Sequence, residues 1–310
     1  MAIYKEKNGE NKNVINALVG INGENKRVLK IYAGTNSGNK LIWERPPEWI
    51  QLTDNEFEET QGPTGTVAVY NGSYEYVILP NNYNGQPLTS VSLMFADATQ
   101  AGIPYRSVKG VKTSSTPLID TNQMFFGASS DTLDLSNLKV DSVTDMSRMF
   151  SQSTFGSLDI SNWDTSNATT MFQMFYICDA PNLDVTHFNT ENVTSMQYMF
   201  SRSTANVLDL TGFNTSNVTH MDEMFSNCGA TEIDVTSFNT TNVLRTSGMF
   251  QGIKVNVLDL SSFDMSNVTN DANMFRNAQI TKGYARTQSD ADILNATTNK
   301  PASLNFIVKP

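Results

Sequence analysis

The sequence predicts a repeat solenoid: a right-handed α/β solenoid of 25-residue coils, each made of a short parallel strand followed by a short helix. Three observations predict it. The phrase Leu133-Asp134-Leu135 returns as Leu158-Asp159-Ile160, Leu183-Asp184-Val185, Leu208-Asp209-Leu210, Ile233-Asp234-Val235 and Leu258-Asp259-Leu260, each 25 residues after the last. Sixteen residues after each first apolar position stands a Met-Phe pair: Met149-Phe150, Met174-Phe175, Met199-Phe200, Met224-Phe225, Met249-Phe250 and Met274-Phe275. Charged residues are only 17% of the chain, and abundant Asn, Ser and Thr suit polar turns and stacked layers better than long helices. A fixed period of this length marks units that bury their apolar faces only by stacking on neighbours.

Within one unit, Leu208, Asp209 and Leu210 alternate with the period of two expected of a strand. Phe213 turns back to the interior, and Asn214-Thr215-Ser216-Asn217 reads as a loop whose side chains bond their own backbone. Val218, Met221, Met224 and Phe225 follow at i, i+3, i+6 and i+7, which predicts one face of a short helix. Stacking such units gives a parallel sheet on one side, helices on the other, and columns of Leu, Phe, Val and Met between.

Two weaker copies extend the pattern backwards. Leu88, Val91, Met94 and Phe95 match the helical face, led by Ile78 and Pro80, and Leu118, Thr121, Met124 and Phe125 match it again, led by Val108. The interval from Met94 to Met124 is 30 residues, which places an insertion near Gly102-Ile103-Pro104. The total is eight coils over residues 76–280 and a sheet roughly 40 Å long at the usual strand spacing. Past Phe275 the pattern stops, and an N-capped helix at Ser289-Asp290-Ala291-Asp292-Ile293-Leu294 and a strand at Leu304–Val308 read as a cap over residues 281–310.

A different period governs the N-terminus. Asn8-Gly9-Glu10-Asn11-Lys12, Asn22-Gly23-Glu24-Asn25-Lys26 and Asn36-Ser37-Gly38-Asn39-Lys40 recur every 14 residues. Each precedes an apolar run (Val14-Ile15, Val28-Leu29-Lys30-Ile31-Tyr32, Leu41-Ile42-Trp43), a hairpin signal. Residues 1–45 read as a small β module that buries little alone and therefore docks on a partner or oligomerises. Arg45-Pro46-Pro47 is a stiff boundary, opening a β-rich lead-in over residues 46–75.

The net charge of -10 argues against nucleic acid, because phosphate binding needs a concentrated basic surface. No run approaches the roughly 18 apolar residues of a membrane span, so no membrane insertion is expected. The segment from Met1 to Glu10 has no apolar core of a secretory signal. Cys178 and Cys228 fall two coils apart, so their Cα atoms should lie roughly 10 Å apart, beyond the about 4.4 to 6.8 Å of a disulfide. They are expected to be free, buried thiols.

The phrase from Leu208 through Gly212-Phe213-Asn214-Thr215-Ser216-Asn217-Val218-Thr219 to Met224-Phe225-Ser226-Asn227-Cys228 resembles the repeat of BspA-like leucine-rich-repeat surface proteins. That resemblance covers about residues 76–310 and implies a leucine-rich-repeat-like solenoid used for adhesion. Leu138 departs from it where other coils have Phe or Trp, as do Thr246 and Asp271 where others have Met. The segment from Gly20 to Gly34, with Asn39-Lys40-Leu41-Ile42-Trp43, resembles the N-terminal module of virion structural proteins from phages of Gram-positive hosts. Together the resemblances imply a virion protein of a tail, baseplate or head fibre, assembled in the host cytoplasm. It would be held to other virion proteins through 1–45, with no need of an export signal, as a homo-oligomer displaying the solenoid to a bacterial surface polysaccharide or protein. The alternatives are a bacterial cell-surface adhesin and, more remotely, a polysaccharide-acting enzyme.

Candidate chemistry is sparse. Asp134, Asp159, Asp184, Asp209, Asp234 and Asp259 fall on the outward strand position and should form a ladder at about 4.8 Å, each neighbouring pair repelling by about 0.9 kcal/mol in water. Hydrogen bonds from Ser136, Thr186, Thr211 and Thr236, a cation such as Ca²⁺ between carboxylates, or a cationic or sugar partner would offset this. Asn167, Asn192, Asn217, Asn242 and Asn267 are expected to stack their amides and satisfy loop backbone. The Met-Phe columns read as core. His187 and His220 stand at non-equivalent positions, and the sequence has no nucleophile motif or phosphate-binding loop. The expectation is a binding protein rather than an enzyme, with no resident cofactor.

Overall fold

In the computed structural model the described residues are 30–35, 38–44, 48–62, 65–96 and 108–310. The Asn8 and Asn22 motifs, Val14-Ile15, Val28-Leu29, Asn36-Ser37, Arg45-Pro46-Pro47 and the insertion near Gly102 lie outside them. The chain divides into two units, Met1–Trp49 and Ile50–Pro310. The described part of the first is an antiparallel hairpin of β1 (Lys30–Thr35) and β2 (Gly38–Glu44), with Lys30 opposite Glu44 and an irregularity between Ile31 and Tyr32.

The second unit is a parallel β-solenoid of about ten turns. Its first rung is β3 (Ile50–Gln51), followed by the hairpin β4 (Phe57–Gly62) and β5 (Gly65–Tyr70). The second rung is β6 (Tyr76–Ile78), followed by the small hairpin β7 (Asn82–Tyr83) and β8 (Gln86–Pro87). Then come β9 (Gly110–Lys112), β10 (Ser129–Asp134), β11 (Thr154–Asp159), β12 (Val207–Asp209), β13 (Glu232–Asp234), β14 (Val257–Leu260) and β15 (Lys282–Ala285). Helix α1 (Gln288–Ala296) and β16 (Phe306–Val308) finish the chain. The turns outnumber the eight expected because both ends contribute rungs: Ile50 pairs with Val77, and Gly283 pairs with Leu258 and Phe306. The inward residues of the second rung are Val77 and Leu79, both buried, one residue before the expected Ile78 and Pro80.

The side opposite the strands is not helical. In the coil that contains Met224-Phe225, the N–H groups of Met224, Ser226 and Cys228 donate three residues back, to Met221, Glu223 and Phe225, at 3.2, 3.1 and 3.0 Å. The alternate N–H groups, of Glu223, Phe225 and Asn227, donate to Ser247, Met249 and Gln251 of the next coil at 2.8, 3.0 and 2.6 Å. A helix would keep all of these bonds within itself. Here half of them cross to the neighbour, and the carbonyls are aimed outward by residues in left-handed conformation, Glu223 (φ 51) and Asn227 (φ 53). The same two positions are left-handed in the coils of Arg148 and Gln152, Gln173 and Ile177, and Tyr198 and Arg202. Apolar residues three apart face inward in consecutive turns as they do in a helix, so the spacing fitted both.

This turn ladder is the continuous element. Bridges run without a break from Ser90 through Asp120, Asp145, Thr170, Ser195, His220 and Arg245 to Asn270. The strand side instead falls into pieces, β3-β6-β9-β10-β11, β12-β13 and β14-β15-β16, rather than one unbroken sheet. No strand forms around Leu183, where Pro181 removes a backbone donor just before the rung.

Between the two sides the core is a set of columns. Phe95, Phe125, Phe150, Phe175, Phe200, Phe225, Phe250 and Phe275 stack ring on ring, with centroids 5.4 to 6.0 Å apart and planes within 12°, an offset geometry that aromatic pairs favour. The partner Met of each pair is buried. Trp163 stacks on Phe150 and donates its indole N–H to Leu135 O at 2.9 Å, in the column where the preceding coil has the smaller Leu138. Thr246, at a Met position, buries its hydroxyl without a hydrogen-bond partner among the described residues. Asp271, at another, accepts from Thr297 Oγ1 at 3.2 Å. Cys178 and Cys228 are free and buried, each with its Sγ 3.4 Å from a serine hydroxyl of the preceding coil. Burial pushes the Cys178 thiol up to about 12.

Polar rails join the coils at the corners. Buried Thr165, Thr190, Thr215 and Thr240 donate to the carbonyls of Asn189, Asn214, Asn239 and Asp264 at 2.9 to 3.0 Å. Asn167, Asn192, Asn217, Asn242 and Asn267 send their amides back to the carbonyls of Asp141, Ser166, Glu191, Ser216 and Thr241 at 2.7 to 2.8 Å. The amides thus satisfy loop backbone as expected, although these side chains are exposed.

Candidate functional site

The strand face carries the aspartates picked out by the repeat. Asp134 pairs in register with Asp159, and Asp209 with Asp234. Asp184 lies outside any strand, and Asp234 and Asp259 sit in different sheet pieces, so the ladder is interrupted. Each carboxylate is tied into its own turn. Its Oδ1 accepts the backbone N–H two residues on, from Ser136, Ser161, Thr186, Thr211, Thr236 and Ser261, at 2.9 to 3.1 Å. The hydroxyls of Ser136, Ser161, Thr186, Thr211 and Thr236 add a second bond at 2.6 to 2.7 Å.

These bonds favour the ionised form. The Thr186 N–H and then its hydroxyl hold Asp184 below the usual carboxylate range. The Thr211 hydroxyl and then its N–H do the same for Asp209. For Asp259 burial acts in the opposite direction, and Lys309, 2.6 Å away, together with Ser261 outweighs it, so this carboxyl is also lowered. The ladder ends there, since the next two rungs place Tyr284 and Ile307 in its column. Among the described residues no group of three or more His, Cys, Asp or Glu side chains is arranged to hold a metal ion. His187 and His220 remain apart, His187 packed edge-on to Phe188 and His220 Nδ1 2.8 Å from Thr219 Oγ1.

The turn face carries a second group that the repeat did not single out. The Arg148 guanidinium lies 5.1 Å above the Phe172 ring, and its Nε donates to Gln173 Oε1 at 2.7 Å. Tyr198 meets Phe172 and Tyr176 edge to face, at 6.0 and 6.2 Å. Gln197 Nε2 and Arg245 Nε converge on the buried Asp222 carboxylate at 2.7 and 3.0 Å. Burial first, and then Glu223 and Asp222, raise the Tyr198 hydroxyl above its ordinary range, which keeps it a donor. A signal for this group exists in the sequence: the column 147, 172, 197, 222, 247, 272 reads Ser, Phe, Gln, Asp, Ser, Ala. Reading that column as the outer side of a helix concealed that its members lie on one flat ladder.

Neither a curated protein nor a solved structure matches the chain. A family model does match, over residues 89–213 and 178–286, and it is described as Mycoplasma protein of unknown function, DUF285. The two matches span the regular coils and more than half of the chain. They cover most of the stretch that resembles BspA-like repeats, and the protein belongs to the DUF285 family.

Proposed function

We propose that the protein is a binding scaffold that recognises a component of a bacterial surface, a polysaccharide or a protein, through its solenoid. The single observation that carries this reading is where the coils differ. Their inward columns of Phe, Met and Leu stay nearly constant, while the turn face varies over three adjacent coils: Phe172 and Tyr176 stand in columns where other coils have Ser, and Arg148 and Tyr198 share a column filled elsewhere by Gln173, Glu223, Gly248 and Asn273. Arg and Tyr on a rigid support are the residue types that dominate binding hot spots.

In this proposal the scaffold is part of a virion, in a tail, baseplate or head fibre, and residues 1–45 attach it to other virion proteins. Support comes from the resemblance of the 20–43 segment to phage attachment modules. A second reading, a bacterial cell-surface adhesin, is favoured by the family description, which names a Mycoplasma protein.

The test has two parts. Labelled full-length chain is expected to bind intact bacterial cells, and a Tyr198→Ala/Arg148→Ala variant with unchanged melting is expected to lose most of that binding. Equal binding by the variant would remove the turn face from the reading. An antibody against the second unit, applied to fractions of a producing culture, then separates the carriers: signal on phage particles supports the virion, and signal on cell envelopes supports the adhesin.

A further inference from the structure

The first two coils carry hairpins that no later described coil has, and a cleft of about 270 Å³ opens between them. Its apolar lining includes Ala68 on β5, Pro87 on β8 and Leu88, which follows β8. One wall is Tyr83, whose ring is fixed edge-on against Phe57 at 5.5 Å. Glu59 on β4 faces it: Oε1 accepts from Asn84 Nδ2 at 2.9 Å and lies 3.5 Å from the Tyr83 hydroxyl.

The wall is rigid because the β7–β8 turn is rigid. Asn84 (φ 49) and Gly85 (φ 75) are both left-handed, as the favoured two-residue hairpin turn requires. The Asn84 N–H is also held by Asp54 Oδ2 at 3.2 Å. The aromatic ring and the carboxylate are therefore set in place before any ligand arrives, which lowers the ordering cost of binding.

The chemistry of the lining selects the ligand. Glu59 only accepts hydrogen bonds, so the ligand must bring donors. Gln86, Thr89 and Ser92 line the same cleft and make no side-chain hydrogen bond among the described residues, leaving an amide and two hydroxyls that both donate and accept. Among the described lining residues none is basic, so none of them would balance an anionic ligand beside Glu59. A ring with adjacent hydroxyls on its edge and C–H groups on its face meets all of these demands. We propose that this cleft binds one neutral sugar residue of a glycan, its hydroxyls on Glu59, Gln86, Thr89 and Ser92 and its C–H face against Tyr83. The site is separate from the turn-face group, and it stands or falls independently of which particle or cell carries the protein.

Saturation-transfer NMR on the full chain, with glucose, galactose, rhamnose and N-acetylglucosamine as probes, tests this. Transfer to at least one of the four is expected. Glu59→Gln should weaken that binding roughly tenfold, the loss of one charge-assisted hydrogen bond. Glu59 is exposed, so its substitution should leave the melting temperature unchanged. Tyr83→Ala removes packing on Phe57, so Thr89→Val serves as a second variant and is also expected to weaken binding. No transfer to any of the four sugars, or equal binding by the Glu59→Gln and Thr89→Val variants, would overturn the proposal. Preference for glucuronate over glucose would overturn it as well. Cell attachment that survives Glu59→Gln leaves the scaffold reading intact, so the two failures are distinguishable.

Discussion

Ile177 is a β-branched residue at φ 53, in a column of left-handed positions filled elsewhere by Gly127, Gln152, Arg202, Asn227, Gly252 and Asn277. Left-handed backbone costs an L-residue about 1–2 kcal/mol, and Asn tolerates it best after Gly. Ile177 is 38% exposed, so its burial is only partial, and its N–H bond to Ser201 O survives any side-chain change. Ile177→Asn is therefore expected to stabilise the protein by about 1 kcal/mol, a rise of about 2–4 °C in Tm by calorimetry; a fall would show that the isoleucine packs better than its exposure suggests. A second residue-scale consequence concerns acid. Asp184 and Asp209 have folded pKa values lowered by their Thr186 and Thr211 partners. A lowered folded pKa gives stability that is complete above the unfolded value, about 3.9, and lost as pH falls through the folded one. Urea midpoints should be level between about pH 7 and pH 5 and fall below about pH 4, and Thr186→Val should reduce the acid-dependent part of that fall.

The end of the solenoid is built by one element, the segment from β15 to β16, and it works by a substitution within a column. Where the earlier rungs hold Leu or Ile, β15 holds Gly283, and a Cβ there would lie 2.5 Å from Cδ1 of Phe306. Phe306 fills the missing volume and packs on Phe275 at 4.9 Å, closing the phenylalanine stack. Helix α1 seals the opposite corner: Asp290 accepts the Met265 N–H at 3.0 Å and pairs with Arg286, which reaches Asp264 at 2.9 Å. Gly283→Leu is expected to cost about 1–3 kcal/mol by overpacking, and adding Phe306→Ala should recover part of that loss in a double-mutant cycle; strict additivity would mean that the two side chains do not share one space. Little of this cap was legible in the sequence beyond the helix and strand themselves, because the Gly283–Phe306 exchange joins different rungs. The strands, the 25-residue period, the phenylalanine and methionine core and the hydroxyl partners of the aspartates were legible, since each follows from alternation or from a neighbour two residues away. The turn ladder was not: Gly127, Asn227, Gly248, Gly252, Asn273 and Asn277 suit its left-handed positions, but Gln, Arg, Tyr, Ile and Glu hold the same columns in other coils and mask that signal, and its inward spacing is shared with a helix. The turn-face aromatics were visible only as departures from the repeat.

At the scale of the whole second unit, the chain interacts with itself at one distance. The inter-coil hydrogen bonds of the turn ladder join residues 24 apart, the Thr169, Thr194, Thr219 and Thr269 hydroxyls reach back 25, and the asparagine amides reach back 26. Apart from the Lys309–Asp259 pair of the cap, which spans two rungs, each regular coil therefore bonds to its neighbours, and stability is a sum of coil and interface contributions. The unbroken turn ladder sets this interval, because the strand side opens between β11 and β12 and between β13 and β14 without disturbing the stack. Inserting a second copy of residues 208–232 adds one full period and keeps every column in phase. The extended protein is expected to fold, to melt in a single transition, and to show a guanidinium m-value larger by about one tenth, since m follows the surface exposed on unfolding and the solenoid has about ten turns. The same insertion shortened by one residue shifts the Met-Phe pair out of its column and faces polar side chains inward, and it should lose that transition or fail to fold. Equal tolerance of the two insertions in denaturant titrations would mean that the coils are held by general hydrophobic collapse rather than by the registered ladder.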